Sequence, residues 1–353
     1  VSASILQPLV GAYTDKHPKP YAQVVGMAFS ALGIGLLSWA NSYALVLFSV
    51  ILVGIGSSIF HPEASRIAFL ASGGKRSFTQ AVFQLGGNAG TALAPLLVIL
   101  IVFTKKIVDG QLIEESHLER LLWFVLFPAI AIVILFFIGS WRKKLLQQAQ
   151  SFKKREIPVP DLTHAQVRNS VIILMFLVFS KNFYTAGISN YFQFYTIKTF
   201  GFTNAQAQLY LFYYLGAAAA GTLIGGFFGD KVGRKFIIWF SILGAAPFAL
   251  WLPYADAKTT AVLVVLIGFI ISSAFASILV YAQELLPKKI GMISGVFYGF
   301  AFGMAGLGSA VLGKLIDMTS ITFVYKLCSF LPLMGLTAYF LPNLRKVKTK
   351  LSE

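Results

Sequence analysis

The chain has 353 residues, of which 57% are hydrophobic and only 12% charged, and its mean hydropathy is +0.76. A soluble domain carries about 25% charged residues, so this chain has too few polar side chains to cover a water-facing surface, which excludes a soluble globule. The net charge is +16, from 29 Lys and Arg against 13 Asp and Glu; the charges sit in short stretches between apolar runs, which points to membrane topology and away from nucleic acid.

A membrane-spanning helix needs roughly 20 apolar residues, at about 1.5 Å each across about 30 Å of hydrocarbon. A partial apolar run covers residues 1–13. Full runs cover 21–40, 43–60, 79–103, 121–140, 169–197, 206–228, 236–253, 259–281, 291–313 and 319–341. The expected fold is all-α, a polytopic membrane protein of ten complete helices and one half helix. The single cysteine, Cys328, lies inside the last run, so no disulfide framework exists. The chain opens at Val1 in the middle of an apolar segment and is expected to lack its own N-terminus.

The longest polar stretch, 141–168, holds Arg142, Lys143, Lys144, Lys153, Lys154, Arg155 and Arg168. It reads as a linker between an N-terminal bundle (1–140, incomplete) and a C-terminal bundle (169–344), followed by a tail (345–353). If the loops alternate between the two sides of a membrane, twenty-one of the 29 Lys and Arg fall on the side that holds this linker and the tail. Seven fall on the other, and Lys181 lies within a helix. The bias makes the linker side cytoplasmic.

An internal repeat runs in parallel. Gly11-Ala-Tyr-Thr-Asp15-Lys16-His-Pro-Lys19 recurs 215 residues later as Gly226-Phe-Phe-Gly-Asp230-Lys231-Val-Gly-Arg234-Lys235. Each copy follows a descending helix and is followed three helices later by a glycine-rich span (80–95 and 291–313). Equal orientation implies an axis along the membrane normal. A six-helix second half then predicts a six-helix first half, so about one and a half helices precede Val1.

Two six-helix halves with G-x-x-x-D-[KR]-x-x-[KR] after the second helix of each resemble the major facilitator superfamily. Further segments resemble its fosmidomycin resistance protein group. In the first half these are Gln7-Pro-Leu-Val-Gly-Ala-Tyr-Thr-Asp-Lys, Gly56-Ser-Ser-Ile-Phe-His-Pro-Glu-Ala-Ser-Arg66, Ala71-Ser-Gly-Gly-Lys-Arg and Phe83-Gln-Leu-Gly-Gly-Asn88. In the second they are Val280-Tyr-Ala-Gln-Glu-Leu-Leu-Pro287 and Phe300-Ala-Phe-Gly-Met-Ala-Gly-Leu-Gly308. The resemblance covers essentially the whole chain. It implies a proton-coupled drug exporter of the bacterial inner membrane whose substrates include a phosphonate antibiotic. It also implies an Asn-Asp pair on a first helix that this chain does not contain. The family's antiporter motif ends Gly-Pro-x-x-Gly-Gly; here Gly86-Gly-Asn-Ala-Gly90 with Pro95 matches it in part and leaves the direction of transport open.

No phosphate-cradling loop supports a primary pump. Gly308-Ser-Ala-Val-Leu-Gly313-Lys314 has Leu315 where a hydroxyl should reach magnesium, and it follows no strand. H-E-x-x-H and G-x-S-x-G are absent. No enzyme activity, cofactor or metal is expected, which leaves secondary transport in a lipid bilayer; the resemblance implies protons as partners, and a small anionic substrate and a monomeric state are expected.

Lys181 lies about ten residues into the run 169–197, hence roughly 15 Å deep. An unpaired lysine there costs about 2.5–3.5 kcal/mol on insertion scales. It pairs either with an anionic substrate or, structurally, with an acidic residue. Asn182, Tyr184, Asn190, Tyr191, Gln193 and Tyr195 surround it in sequence. Lys181, Tyr184 and Tyr191 share one helix face, as a cavity wall would, whereas Tyr195 reads as an interfacial belt residue. Gln84 and Asn88 stand four apart and present two amides to a neighbouring helix or a ligand.

His61, Glu63 and Arg66 form a second constellation, with Glu63 and Arg66 in easy i,i+3 reach. A proton relay, a gate, or a helix end kinked by Pro62 all fit. Glu284 is the pseudo-symmetric counterpart of Glu63. Asp15 and Asp230, with Lys231 and Arg234, suit a latch in which a carboxylate caps a neighbouring helix; the alternative is a turn that only sets topology. The glycine stripes Gly221/Gly225/Gly229, Gly295/Gly299/Gly303 and Gly86/Gly90 predict close seams between the halves. Two rival functions stay open: a proton symporter importing a small organic or phosphorylated anion, and a non-transporting membrane sensor.

Overall fold

The computed structural model describes residues 2–108, 111–151, 158–345, 347 and 349–351. Lys153, Lys154 and Arg155 of the expected linker, and Lys346 and Lys348 of the expected tail, lie outside the described residues.

Four helices come first: α1 (Ser2–Lys16), α2 (Ala22–Ser38), α3 (Tyr43–Leu70) and α4 (Arg76–Ile101). A hairpin follows, in which β1 (Phe103–Val108) and β2 (Gln111–Ser116) pair antiparallel with Phe103 opposite Ser116. A 3-10 segment, Leu118–Val125, then leads into α5 (Leu126–Ser151), so residues 141–151 of the expected linker continue a helix. After β3 (Pro158–Pro160) come α6 (His164–Phe200), α7 (Asn204–Lys231), α8 (Arg234–Leu243), α9 (Ala246–Trp251), α10 (Ala257–Ser272) and α11 (Ala274–Leu285). The chain ends with α12 (Ile290–Met318), α13 (Ile321–Cys328), a 3-10 segment Leu331–Phe340, and β4 (Thr349–Leu351), which pairs antiparallel with β3.

Local sequence explains the boundaries. Thr163 and Thr203 each form a capping box with a glutamine three residues on, starting α6 and α7. Gly201 stops α6 with a positive φ of 67° that a side chain would strain. Asp256 opens α10 by accepting from the Thr259 N–H at 2.8 Å. Pro247 at the start of α9 and Pro332 at the start of the last 3-10 segment lack the N–H a continuous helix needs. The runs 236–253 and 319–341 are therefore each broken in two.

Among the described residues, eight helical stretches are long and apolar enough to cross a membrane, including Tyr43–Leu70, His164–Phe200, Gln206–Lys231 and Ile290–Met318. The run 21–40 forms a shorter apolar helix, Ala22–Ser38. This is an all-α multi-pass membrane protein.

The chain divides into two compact units. The first comprises Val1–Ile67, Gly86–Glu156 and Lys288–Gly299; the second comprises Ala68–Leu85, Ile157–Pro287 and Phe300–Glu353. Within the first, α1 and the start of α12 meet backbone to backbone. A Cβ at Gly11 would fall on the Gly291 carbonyl, one at Gly295 on that of Gln7, and one at Gly299 on that of Ser4.

Within the second unit, aromatic and aliphatic side chains of α6, α7, α10 and α13 form a core around Phe192, Tyr214, Ile267 and Tyr325, with Cys328 at its edge. Tyr195 is fully buried there, stacked on Tyr325 at 4.3 Å, and is not the belt residue its sequence position suggested. Gly221 and Gly225 pack on Phe269 and Ser273 of the same sequence half, which corrects the expected seam between halves there, whereas Gly229 meets both Ser277 of its own half and Ser77 of α4 in the other. Gly226 does face the first half, against Ser77 and Ala81 of α4. Nothing among the described residues lies within 4 Å of where a Cβ on Gly86 or Gly90 would stand, so the described residues show no close helix approach there.

Candidate functional site

Two ion clusters occupy helix ends, one in each unit. In the first, Asp15 sits in the last turn of α1. Its carboxylate accepts the Gly291 N–H at 3.0 Å and the Met292 N–H at 2.7 Å, capping the N-terminus of α12. Free N–H groups and the helix dipole both favour a carboxylate at that place. Arg66 on α3 donates to Asp15 at 2.6 Å and to Glu63, one turn back on its own helix. The same guanidinium also donates to the Thr14 carbonyl at 3.2 Å and the Gly11 carbonyl at 3.3 Å, near the C-terminal end of α1. Arg142 on α5 donates to the second oxygen of Glu63.

The second cluster repeats the layout. Asp230, in the last turn of α7, accepts the Ser77 N–H at 3.0 Å and the Phe78 N–H at 2.9 Å, capping α4. Arg234 bridges Asp230 at 3.0 Å and Glu284 at 2.8 Å, and donates to the Ser77 hydroxyl at 3.0 Å. Arg76 donates to the other Glu284 oxygen at 2.7 Å. Lys231 instead lies over the Phe227 ring, 4.1 Å from its centre. Burial separates the two sites: Glu63, Arg142 and Arg66 side chains are 0%, 3% and 7% exposed, whereas Arg234, Glu284 and Arg76 are 15%, 16% and 39% exposed.

The structure thus brings together Asp15, Glu63 and Arg66, and likewise Asp230, Arg234 and Glu284. His61 turns back along its helix, its Nδ1–H donating to the Ser57 carbonyl at 3.0 Å, and its ring lies 5.4 Å from that of Tyr298. Sequence reasoning missed Arg142 and Arg76. The first stood in a stretch read as linker, and the second in a loop read only for its charge. Each glutamate has both oxygens engaged by separate guanidiniums. That arrangement suits an ion-pair clasp, because a proton on the carboxylate would leave two cations without a full partner.

Deeper in the second unit, the Lys181 ammonium lies 5.1 Å from the centre of the Phe275 ring, and no carboxylate pairs with it among the described residues. An aromatic face attracts a cation without neutralising it. Asn182 donates to the Val178 carbonyl at 2.8 Å. The Tyr191 hydroxyl donates to the Ser309 carbonyl at 2.7 Å, and Asn190 donates to the Ser309 hydroxyl at 2.7 Å, tying α6 to α12.

Tyr184 is buried in the apolar core with no hydrogen-bond partner for its hydroxyl among the described residues, beside a cavity of only about 10 Å³ that Tyr191 and Cys328 also line. It does not stand with Lys181 on an open cavity wall in this conformation. Gln84 is half-buried and Asn88 exposed on α4, and neither side chain makes a hydrogen bond among the described residues. The described residues hold no cluster of His, Cys, Asp and Glu suited to a metal ion.

Comparison with known proteins agrees with this architecture. Residues 1–310 match the family model described as Major Facilitator Superfamily. The chain is 50% identical over 98% of its length to the fosmidomycin resistance protein of Escherichia coli (strain K12), covering 82% of that protein. It is 40% identical over 98% of its length to the uncharacterized MFS-type transporter YfnC of Bacillus subtilis (strain 168), again covering 82%. Among solved structures, the human organic anion transporter MFSD10 (TETRAN) superposes with a TM-score of 0.71 at 18% identity, over 96% of this chain and 82% of that one. Members of this family are transporters and not enzymes, and the chain belongs to the Major Facilitator Superfamily.

Proposed function

We propose that the chain is a proton-coupled exporter of small anionic drugs, with a phosphonate antibiotic such as fosmidomycin in its substrate class. It works as a monomer by alternating access in the bacterial inner membrane, with residues 141–168 and the C-terminal tail in the cytoplasm. The observation that carries this reading is the 50% identity, over 98% of the chain, to a fosmidomycin resistance protein. Lys181 supports it: a half-buried lysine beside an aromatic face, with no carboxylate partner among the described residues, suits a phosphonate that supplies the missing negative charge. Gln84, Asn88, Asn182 and Tyr191 supply further polar contacts, and Tyr184 joins them when the core around it opens.

The two ion clusters serve as the gate. In each, an aspartate holds the N-terminus of a helix from the opposite sequence half, and an Arg–Glu pair holds the aspartate. Opening requires these contacts to release, and the substrate or proton shifts the balance only through its different affinity for the two states.

The test is fosmidomycin susceptibility of an efflux-deficient bacterial host expressing the protein, with and without Lys181→Gln. Resistance that needs Lys181 and collapses when the proton gradient is dissipated is the expected result. Unchanged susceptibility with the protein present in the membrane overturns this substrate assignment and moves the weight to uptake of another anion.

A further inference from the structure

We propose that the C-terminal segment 342–345 is a strap, and that Arg345 is a positioning residue that keeps Asp230 on the N-terminus of α4. The functional consequence rests on reading the ion clusters as a gate. The contacts themselves do not.

The last carbonyls of a helix lack partners within it and carry its partial negative charge, so a cation there satisfies both deficits. In the first unit Arg66 does two jobs at once. It bridges Asp15 and Glu63, and it donates to the Gly11 and Thr14 carbonyls at the end of α1. In the second unit those jobs are divided. Arg234 bridges Asp230 and Glu284, while the carbonyl of Asp230 itself accepts from Arg345, 115 residues further along the chain. Gly233 lies beside this cation. With φ at +121° it turns the chain sharply after α7, and a Cβ placed on it would stand 3.6 Å from Arg345 Nε.

Arg345 is exposed, and an exposed arginine alone would hold a carbonyl weakly. Its backbone, however, is tied down on both sides. The Tyr281 hydroxyl donates to the Pro342 carbonyl, and Lys235 donates to the Tyr339 carbonyl at 2.8 Å. Beyond it, β4 pairs with β3, placing Thr349 opposite Pro160 and Leu351 opposite Pro158. The strap therefore crosses the α7–α8 turn between anchors on α11, α8 and β3. It adds a third guanidinium to a cluster that otherwise holds two carboxylates and two arginines. With the Asp230 carbonyl capped, the last turn of α7 is held, and so is the carboxylate that grips Ser77 and Phe78.

Amide hydrogen exchange on the full chain in detergent or nanodiscs tests this. In Arg345→Glu, exchange at Ser77 and Phe78 should rise by about tenfold, the size of one charge-assisted cap. Arg345→Lys, which keeps the charge and loses the fork, should fall between the two. Gly291 and Met292, capped by Asp15 with no strap, are the internal control and should not change. Unchanged exchange at Ser77 and Phe78, or an equal rise at all four amides, overturns the proposal. If exchange rises only at Ser77 and Phe78 while drug resistance stays intact, the strap stands and the gate reading fails.

Discussion

The two ion clusters have the same plan in different surroundings. In both, an aspartate at the end of one helix caps the start of another, one arginine links it to a glutamate, and a second arginine takes the glutamate's free oxygen. Around Glu63 the plan is sealed from water. Around Glu284 it is partly open, and the tail supplies an extra cation. A sealed cluster depends on every member, since removing one partner strands a buried charge, whereas water and salt soften the same loss in an open one. The bridging arginine also comes from different places: from the glutamate's own helix in the first case, and from the start of α8 in the second. What repeats is the arrangement of charges, and the residues that supply it are reached by different routes.

The largest expected effect is at Glu63. Glu63→Gln should lower stability by about 3–5 kcal/mol, the cost of leaving buried arginines unpaired, read as a shift in the melting or denaturant midpoint in detergent. Glu284→Gln should lose clearly less. Equal losses would break the comparison.

Next come the caps. Asp15→Asn and Asp230→Asn each remove a charge from a helix N-terminus, worth about 0.3–2 kcal/mol. Asp15→Asn should be the more damaging because it also strips buried Arg66 of a partner. Resistance assays on the two variants check whether both clusters serve the gate.

Salt sharpens the contrast further. Arg76→Ala should cost no more than about 1 kcal/mol at low salt and nothing measurable at 1 M, where the screening length is about 3 Å. The cost of Arg142→Ala should not depend on salt.

The smallest effect lies outside both clusters. The Thr259 hydroxyl and N–H hold the Asp256 carboxyl below the usual carboxylate range. Its contribution is complete above roughly pH 4 and is lost as pH falls through the lowered folded value. Asp256→Asn should remove that gain, lowering the neutral-pH melting point slightly, leaving the acid end unchanged and so flattening the acid limb of the stability profile.

Much of this was legible in the sequence, because spanning helices must be long and apolar and the membrane leaves no other arrangement for their backbone. The duplicated Asp15 and Asp230 turns, and the i,i+3 pair Glu63 and Arg66, announced the centre of each cluster. Their outer partners did not announce themselves. Arg142 lies 79 residues from Glu63, and Arg345 lies 115 from Asp230, so only the folded chain brings them near. The place of Lys181 inside a long apolar helix was readable from the run 169–197. Its aromatic neighbour Phe275 was not, since that contact depends on how α6 packs on α11. Tyr195 was misread because tyrosine is at home both in an interfacial belt and in a core, and only packing decides.

Cys328 carries a practical consequence. It is the chain's only cysteine, and it is buried against the core of the second unit, 4.0 Å from where a Cβ on Gly187 would stand. A thiol packed in this way does not react readily with a water-soluble maleimide. These 353 residues are therefore a clean background for labelling, and in them a cysteine introduced at Asn343 or Asn88 would carry the signal of a fluorophore or spin probe without prior substitution of Cys328.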